Sequence, residues 1–228
     1  MKRVFALCFI VLSIILLQAS ISLAAHRHAA TYINASSSFG GVYAEWKQLW
    51  YPEPGSSPHH NNHTLWLWTN GTTGASLSSN AFMEIGYWHG WNYNLEDVNA
   101  FYWARQTTTG YYETNYTTAV LPGVNGTNHS FTIQLENVNG YEGYRGYIDG
   151  VQIFQKQQGW PSVKAQCGLE TTLPDAPLPN VYPKWLQYKT NNSWVYWNYG
   201  AIKKDAPYNY LYQNGHYYEG RDFNDNYY

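Results

Sequence analysis

The sequence predicts an all-β chain folded as an antiparallel sandwich or barrel. Three observations carry this. No long window shows helical spacing. Short aromatic and β-branched runs recur instead, separated by Gly, Asn and Pro. Aromatic residues are also abundant, with 11 Trp and 23 Tyr among 228 residues and 12% charged side chains. Such rings bury large areas while their polar tips seek partners, which suits a half-covered pleated sheet.

The elements follow in order. Strands are expected at Gly41–Gln48, Thr64–Thr69, Ala81–Trp88, Asn99–Gln106, Tyr111–Thr118 and His129–Asn137. Further strands are expected at Tyr144–Ile148, Val151–Gln155, Val163–Glu170, Trp185–Lys189, Ser193–Tyr199 and Tyr208–Tyr212. Asp149-Gly150 and Asn214-Gly215 are two-residue turn signals. About a dozen short strands in one length of chain fit a single all-β domain. Pro174, Pro177, Pro179 and Pro183 interrupt the pattern. The chain beyond them is too short for a comfortable core of its own, so this stretch reads as a crossing connection. The expected organisation is a signal peptide over 1–24, one sandwich domain over 25–216, and a Tyr- and Asn-rich tail over 217–228.

Met1–Ala24 begins with Lys2 and Arg3, continues through an apolar run, and ends in Ser22-Leu23-Ala24. These are the basic, apolar and cleavage regions of a secretory signal. The expected location is outside the cell or at its surface, with no membrane contact after cleavage. Removal leaves 11 basic against 15 acidic side chains, about −4 with neutral His. No basic patch is visible, which argues against nucleic acid as a partner. Cys8 leaves with the signal, so Cys167 can form no intramolecular disulfide. Sharing a face with Ala165 and Leu169, it reads as a small buried hydrophobe. Sequons begin at Asn34, Asn62, Asn70, Asn115, Asn125, Asn128 and Asn191, and place those segments at the surface.

Strand alternation sorts the candidate site residues. Over Ala81–Trp88, Met83, Ile85 and Tyr87 take one face; Phe82, Glu84, Gly86 and Trp88 take the other. Over Val163–Glu170, Gln166, Gly168 and Glu170 lie opposite Cys167 and Leu169. Glu84, Gln166 and Glu170 are therefore expected on one concave sheet face, with Trp103 and Arg105 nearby. A carboxylate on such a face needs partners or solvent. Trp88-His89-Gly90-Trp91-Asn92-Tyr93 reads as a strand end and loop with exposed rings, a sign of a binding surface. Trp88, Trp91, Tyr93 and Trp103, with Arg105, are the expected ligand-binding residues of a secreted recognition module, suited to carbohydrate or extended polypeptide. His59-His60-Asn61-Asn62-His63 has metal-like spacing but reads as a solvated polar loop, so neither a metal nor another cofactor is expected. Glu84, Glu96, Glu136, Glu142 and Glu170 are scattered, unlike the paired carboxyls of a glycosidase.

His129 to Leu135, Tyr144 to Ile153 and Ala165 to Glu170 resemble the concanavalin A-like lectin/glucanase superfamily. The Tyr144–Ile153 piece looks like its Tyr-x-x-Asp-Gly hairpin. This resemblance covers about two thirds of the chain after the signal and implies a curved two-sheet jelly roll. Met83 to Gly86 and Ala165 to Glu170 also resemble the Gln- and Glu-bearing strands of the glutamic peptidases. The residues are exchanged: Glu84 stands where that family has Gln, and Gln166 where it has Glu. The neprosin-like peptidases use two glutamates, which makes Glu84 with Glu170 a second pairing. This resemblance implies an acid-acting peptidase, with a carboxylate activating water and an amide or carboxyl steadying the oxyanion.

Overall fold

The computed structural model describes residues 27–34, 38–47, 59–68, 81–92, 94, 96–117, 126–138, 140–157, 162–173, 181–197, 200–206, 209–213 and 216–220. The proposed signal peptide, Tyr93, Cys8 and the sequons at Asn70 and Asn125 lie outside them. So do the Asn214-Gly215 turn and all of the tail but its first four residues.

Fifteen strands form among the described residues. They are β1 (Arg27–Asn34), β2 (Gly41–Lys47), β3 (His60–Trp68), β4 (Phe82–Trp91), β5 (Asp97–Gln106), β6 (Tyr112–Thr117), β7 (Asn128–Val138) and β8 (Tyr141–Ile148). There follow β9 (Val151–Lys156), β10 (Lys164–Thr171), β11 (Lys184–Thr190), β12 (Ser193–Tyr196), β13 (Ala201–Lys204), β14 (Asn209–Gln213) and β15 (His216–Gly220). The seven-stranded sheet runs β13-β1-β10-β3-β4-β5-β6, and the six-stranded sheet runs β12-β11-β2-β7-β8-β9. Every strand pairing among the described residues is antiparallel, and the chain is a jelly-roll β-sandwich. β14 and β15 form a separate hairpin whose backbone lies near β1 and β10.

Each expected strand has a counterpart. Three strands went unforeseen: β1, β13 and β15. β1 carries Arg27 and His28 at its start and lacks strict alternation, yet it pairs with β10 along its full length. β15 (His216–Gly220) takes in residues 217–220 of the stretch read as a tail. The expected start of β3 at Thr64 is four residues late. His60 to His63 is strand and buried, not a solvated loop. Residues 174–180 of the Pro-rich stretch lie outside the described set, between β10 in one sheet and β11 in the other.

The sheets meet over a core of Leu65, Leu67, Met83, Ile85, Tyr87, Phe101, Ala44, Trp46, Phe131 and Ile133. The Trp46 ring stacks on Phe131 with planes 4° apart, and the His63 ring meets Trp46 at 4.2 Å. Burial pushes the His63 imidazole down to about 3, so it is neutral. Cys167 faces this core beside Ala165 and Leu169, as its spacing implied. Asp149-Gly150 makes the expected two-residue hairpin turn between Ile148 and Val151, with φ of 51° and 77°. The Asp149 carboxylate pins this turn by accepting from the Ser130 N–H at 2.8 Å and lying 2.6 Å from His129 Nδ1. Gly86 sits where β3 and β4 approach closely: a Cβ there would lie 2.1 Å from the His63 carbonyl oxygen.

One end of the sandwich is closed by charge. Glu113 on β6 accepts from Arg105 Nε at 2.8 Å and from Lys156 Nζ at 2.6 Å. Lys156 also sits 4.8 Å above the Trp103 ring, so this cluster ties β5 and β6 to β9 across the two sheets. Burial raises the Glu113 pKa, but the hydrogen bonds from Lys156 and Arg105 outweigh it and hold the carboxyl below its usual range. Glu136 is likewise lowered, its burial outweighed by Arg145, Tyr147 and Gln134. A lowered carboxyl binds protons less readily folded than unfolded. The stabilisation is therefore complete at neutral pH and is lost as pH falls through the folded value. Urea midpoints are expected to drop between pH 7 and pH 3, and to drop less in Glu113→Gln. An equally steep fall in that variant refutes the role given to Glu113.

Candidate functional site

The register of the seven-stranded sheet builds the site. Gln166 on β10 lies opposite Trp66 on β3, and Trp66 lies opposite Glu84 on β4. Tyr32 and Ala104 extend this row on either side. Adjacent strands stand ~4.8 Å apart, so the Glu84 and Gln166 backbones are about 10 Å apart with one indole between them. Both side chains project to the face that turns away from the core.

The Trp66 indole N–H donates to the Glu84 carboxylate. A charge-assisted bond of this kind favours the ionised form of an acid. Glu84 is 6% exposed and Gln166 1%, so both lie deep. The next row along the sheet brings Tyr102 opposite Gly86. The Tyr102 hydroxyl bonds Thr64 Oγ1 at 2.6 Å and accepts from Asn62 Nδ2 at 3.0 Å. Its pKa is raised well above 10.0, first by burial and then by the charge of Glu84, so the phenol stays protonated beside the carboxylate. On the other side of the Glu84 row, the Lys164 ammonium sits 4.5 Å above the Tyr32 ring. It is buried two residues from Gln166.

Glu170 shares this face but lies elsewhere on it. It stands opposite Asn62 on β3, four residues along β10 from Gln166. That is about 13 Å along the strand and two strands across from Glu84, too far for one water to bridge. Its carboxylate takes Asn62 Nδ2 at 3.5 Å and lies 3.7 Å from His28 Nε2. The Glu84–Glu170 pairing of the two-glutamate peptidases is thus not assembled, whereas Glu84 and Gln166 are brought into one row.

The expected binding residues divide. Trp88 lies on the concave face, but it is 2% exposed. The His60 ring stacks on it at 3.9 Å, and Tyr102 and Tyr116 meet it edge-on. Trp91 is half-buried opposite Asp97 at the strand end, past Gly90 with its φ of 118°. Trp103 and Arg105 were expected near Glu84 and are not. Ala104 is the residue opposite Glu84, so Trp103 and Arg105 point to the other side. Trp103 packs in the core against Phe154, and Arg105 is held by Glu113. Of the sequons, Asn62 is buried against Tyr102 rather than exposed, while Asn34, Asn115, Asn128 and Asn191 are at the surface. Trp66, Tyr102, Asn62 and Lys164 joined the site without a signal in the sequence, since what places them is register.

No protein-family model and no curated protein matches the chain. Solved structures do match. Scytalido-glutamic peptidase bound to a transition-state-analogue inhibitor superposes with a TM-score of 0.54 at 10% identity, covering 86% of this chain and 98% of that one. SCP-B, a member of the Eqolisin family of peptidases bound to the tripeptide Ala-Ile-His, superposes at 0.53 with 13% identity, covering 87% and 98%. A tetrameric galectin from the ball sponge Cinachyrella sp. gives 0.47 at 10% identity, covering 71% and 99%. The chain is a jelly-roll β-sandwich and shares its two-sheet arrangement with these two peptidases.

If Trp103 is a core residue and not a ligand platform, Trp103→Ala should lower unfolding free energy by ~3–5 kcal/mol. Chemical denaturation measures this. A loss below ~1 kcal/mol refutes the assignment.

Proposed function

We propose that the chain is an exported hydrolase that cleaves extended polypeptide at the concave sheet, with Glu84 as base and Gln166 as oxyanion donor. The carrying observation is the Gln166–Trp66–Glu84 row across three paired strands. It sets a carboxylate and a carboxamide on either side of one indole. The resemblance of Met83–Gly86 and Ala165–Glu170 to the glutamic peptidases leads to the same pair. Met1–Ala24 as leader, and a location outside the cell or at its surface, belong to this reading.

The chemistry follows from the donors. Glu84, which accepts the Trp66 indole N–H, takes a proton from a water molecule as the water oxygen attacks the scissile carbonyl carbon. The carbonyl oxygen gains negative charge, and the Gln166 amide N–H donates to it. The C–N bond then breaks, and the proton on Glu84 passes to the leaving nitrogen. Exchanging Gln and Glu between the two strands preserves one base and one oxyanion donor. Activity should follow Glu84 ionisation on its acid limb. Proteolysis of an unfolded substrate across pH 2–7 is expected, with a loss of about 10²–10³-fold in Gln166→Ala and a larger one in Glu84→Gln. Unchanged activity in Glu84→Gln, or no cleavage at any pH, refutes the proposal.

A second reading keeps the same face and drops the chemistry. Trp66, Trp88 and Tyr102 share it with Asn62, Gln166 and Glu170, and Trp88 meets Tyr102 edge-on. Flat rings among hydrogen-bonding groups suit a sugar, which has an apolar face and a hydroxyl rim. Here glycan binding should be abolished by Trp88→Ala and retained in Glu84→Gln. A glycan array that stays blank with the wild-type chain removes this reading.

A further inference from the structure

The opposite surface of the sandwich carries a second aromatic site. Along the outer face of the six-stranded sheet, β11, β12, β2 and β7 form an open groove of ≈ 520 Å³. Trp185, Trp194, Tyr196 and Tyr43 supply its rings; Glu45 and Gln187 supply polar groups. Trp185 and Tyr196 are 57% and 54% exposed. Trp88 on the concave face, by contrast, is closed over by its neighbours.

The groove is built rather than incidental. Trp185 has a φ of 55°. A bulky side chain in the left-handed region is a strained outlier, and strain of this kind concentrates at binding sites. It coincides with the shift in register between Lys184 and Gln187, a bulge that turns the chain. More than half of the ring remains in solvent, so core packing does not account for the strain. Its outcome is to aim the indole at Tyr196, with ring centroids 6.2 Å apart. Two residues earlier on β12, Trp194 reaches across the sheet. A Cβ at Gly41 would meet its ring at 3.1 Å, so this glycine lets the indole lie towards β2. There Tyr43 meets it edge-on at 6.3 Å. The rings thus form two contacting pairs spread over three strands.

Polar groups alternate with them. Gln187 lies opposite both Tyr196 and Tyr43, so its carboxamide stands between two rings. Glu45 accepts from the Tyr43 hydroxyl and leaves further acceptor positions on its carboxylate. Rings flanked by a carboxamide and a carboxylate match the apolar face and hydroxyl rim of a pyranose. The carboxylate disfavours a uronate or sulfated chain. β12 is the edge strand of this sheet, but the groove opens on the sheet face, where an extended peptide meets side chains and not a main-chain ladder.

We infer that this groove is a binding site for a neutral polysaccharide, separate from the concave face and independent of any chemistry at Glu84.

Native affinity electrophoresis of the full chain tests it, in gels containing barley β-glucan, galactomannan, arabinoxylan or xyloglucan. Retardation by at least one of these is expected. Trp185→Ala and Trp194→Ala should each weaken it by about tenfold or more, the loss of one well-seated ring. Both side chains are solvent-facing, and unchanged near-ultraviolet circular dichroism will show that the variants are folded. Glu84→Gln and folded Trp88→Ala should both bind like wild type; the second separates this site from a glycan site on the concave face. Four results overturn the inference: no retardation in any gel, retardation surviving both Trp185→Ala and Trp194→Ala, retardation lost in folded Trp88→Ala or in Glu84→Gln instead, or Trp194-dependent capture of a proline-rich peptide without polysaccharide binding.

Discussion

Strands β3, β4 and β10 are buried along nearly their whole length on both faces, and this double burial governs the molecule. A strand covered on one side can leave its outward residues to water. These cannot, so each of their polar groups needs a partner inside the protein. Glu84 takes the Trp66 indole, Asn62 takes Tyr102, and Thr171 Oγ1 takes the Asn61 side chain at 2.6 Å. His63 faces the core as a neutral ring. The same constraint fixes register. A slip of one residue would exchange Leu65, Met83 and Cys167 for Trp66, Glu84 and Gln166 in the core and strand two polar groups there. The core pattern and the site row are thus one restriction seen from two sides.

That coupling explains what could be read from the sequence. Within a strand, alternation is local and legible. The two faces of Phe82–Trp88 and of Lys164–Glu170 follow from it, as does Cys167 in the core. The Asp149-Gly150 turn is legible for a similar reason, since two residues carry the geometry. Between strands, nothing local says which residue meets which. Trp103 was set near Glu84, yet its neighbour Ala104 takes that place, and one residue of offset moves Trp103 and Arg105 into the opposite layer. Glu170 was grouped with Glu84 because both lie on one face. Distance along the sheet, invisible to alternation, separates them.

The remaining misses have the same origin. His60-Asn61-Asn62-His63 is polar by composition and reads as a loop. It is a strand because β10 and β4 cover it on both edges and its polar groups find Thr171, Tyr102 and the backbone. β1 lacks an alternating pattern but gains a full ladder against β10. In both cases neighbouring strands override weak local preference, as β-structure commonly allows.

The two outer faces answer different demands. On the seven-stranded sheet, burial holds a carboxylate beside an indole and a phenol whose proton is retained. A low-dielectric setting strengthens such contacts and fixes their geometry, which chemistry requires. On the six-stranded sheet, the rings of Trp185 and Tyr196 stay in water and little but backbone geometry orients them. An exposed ring held by a strained backbone has lost conformational freedom before any ligand arrives. Less remains to be lost on binding, so preorganisation here favours association. The sandwich can keep these demands apart because alternation sends each strand's residues to the shared core or to its own outer face. A change on one outer face therefore need not disturb the other.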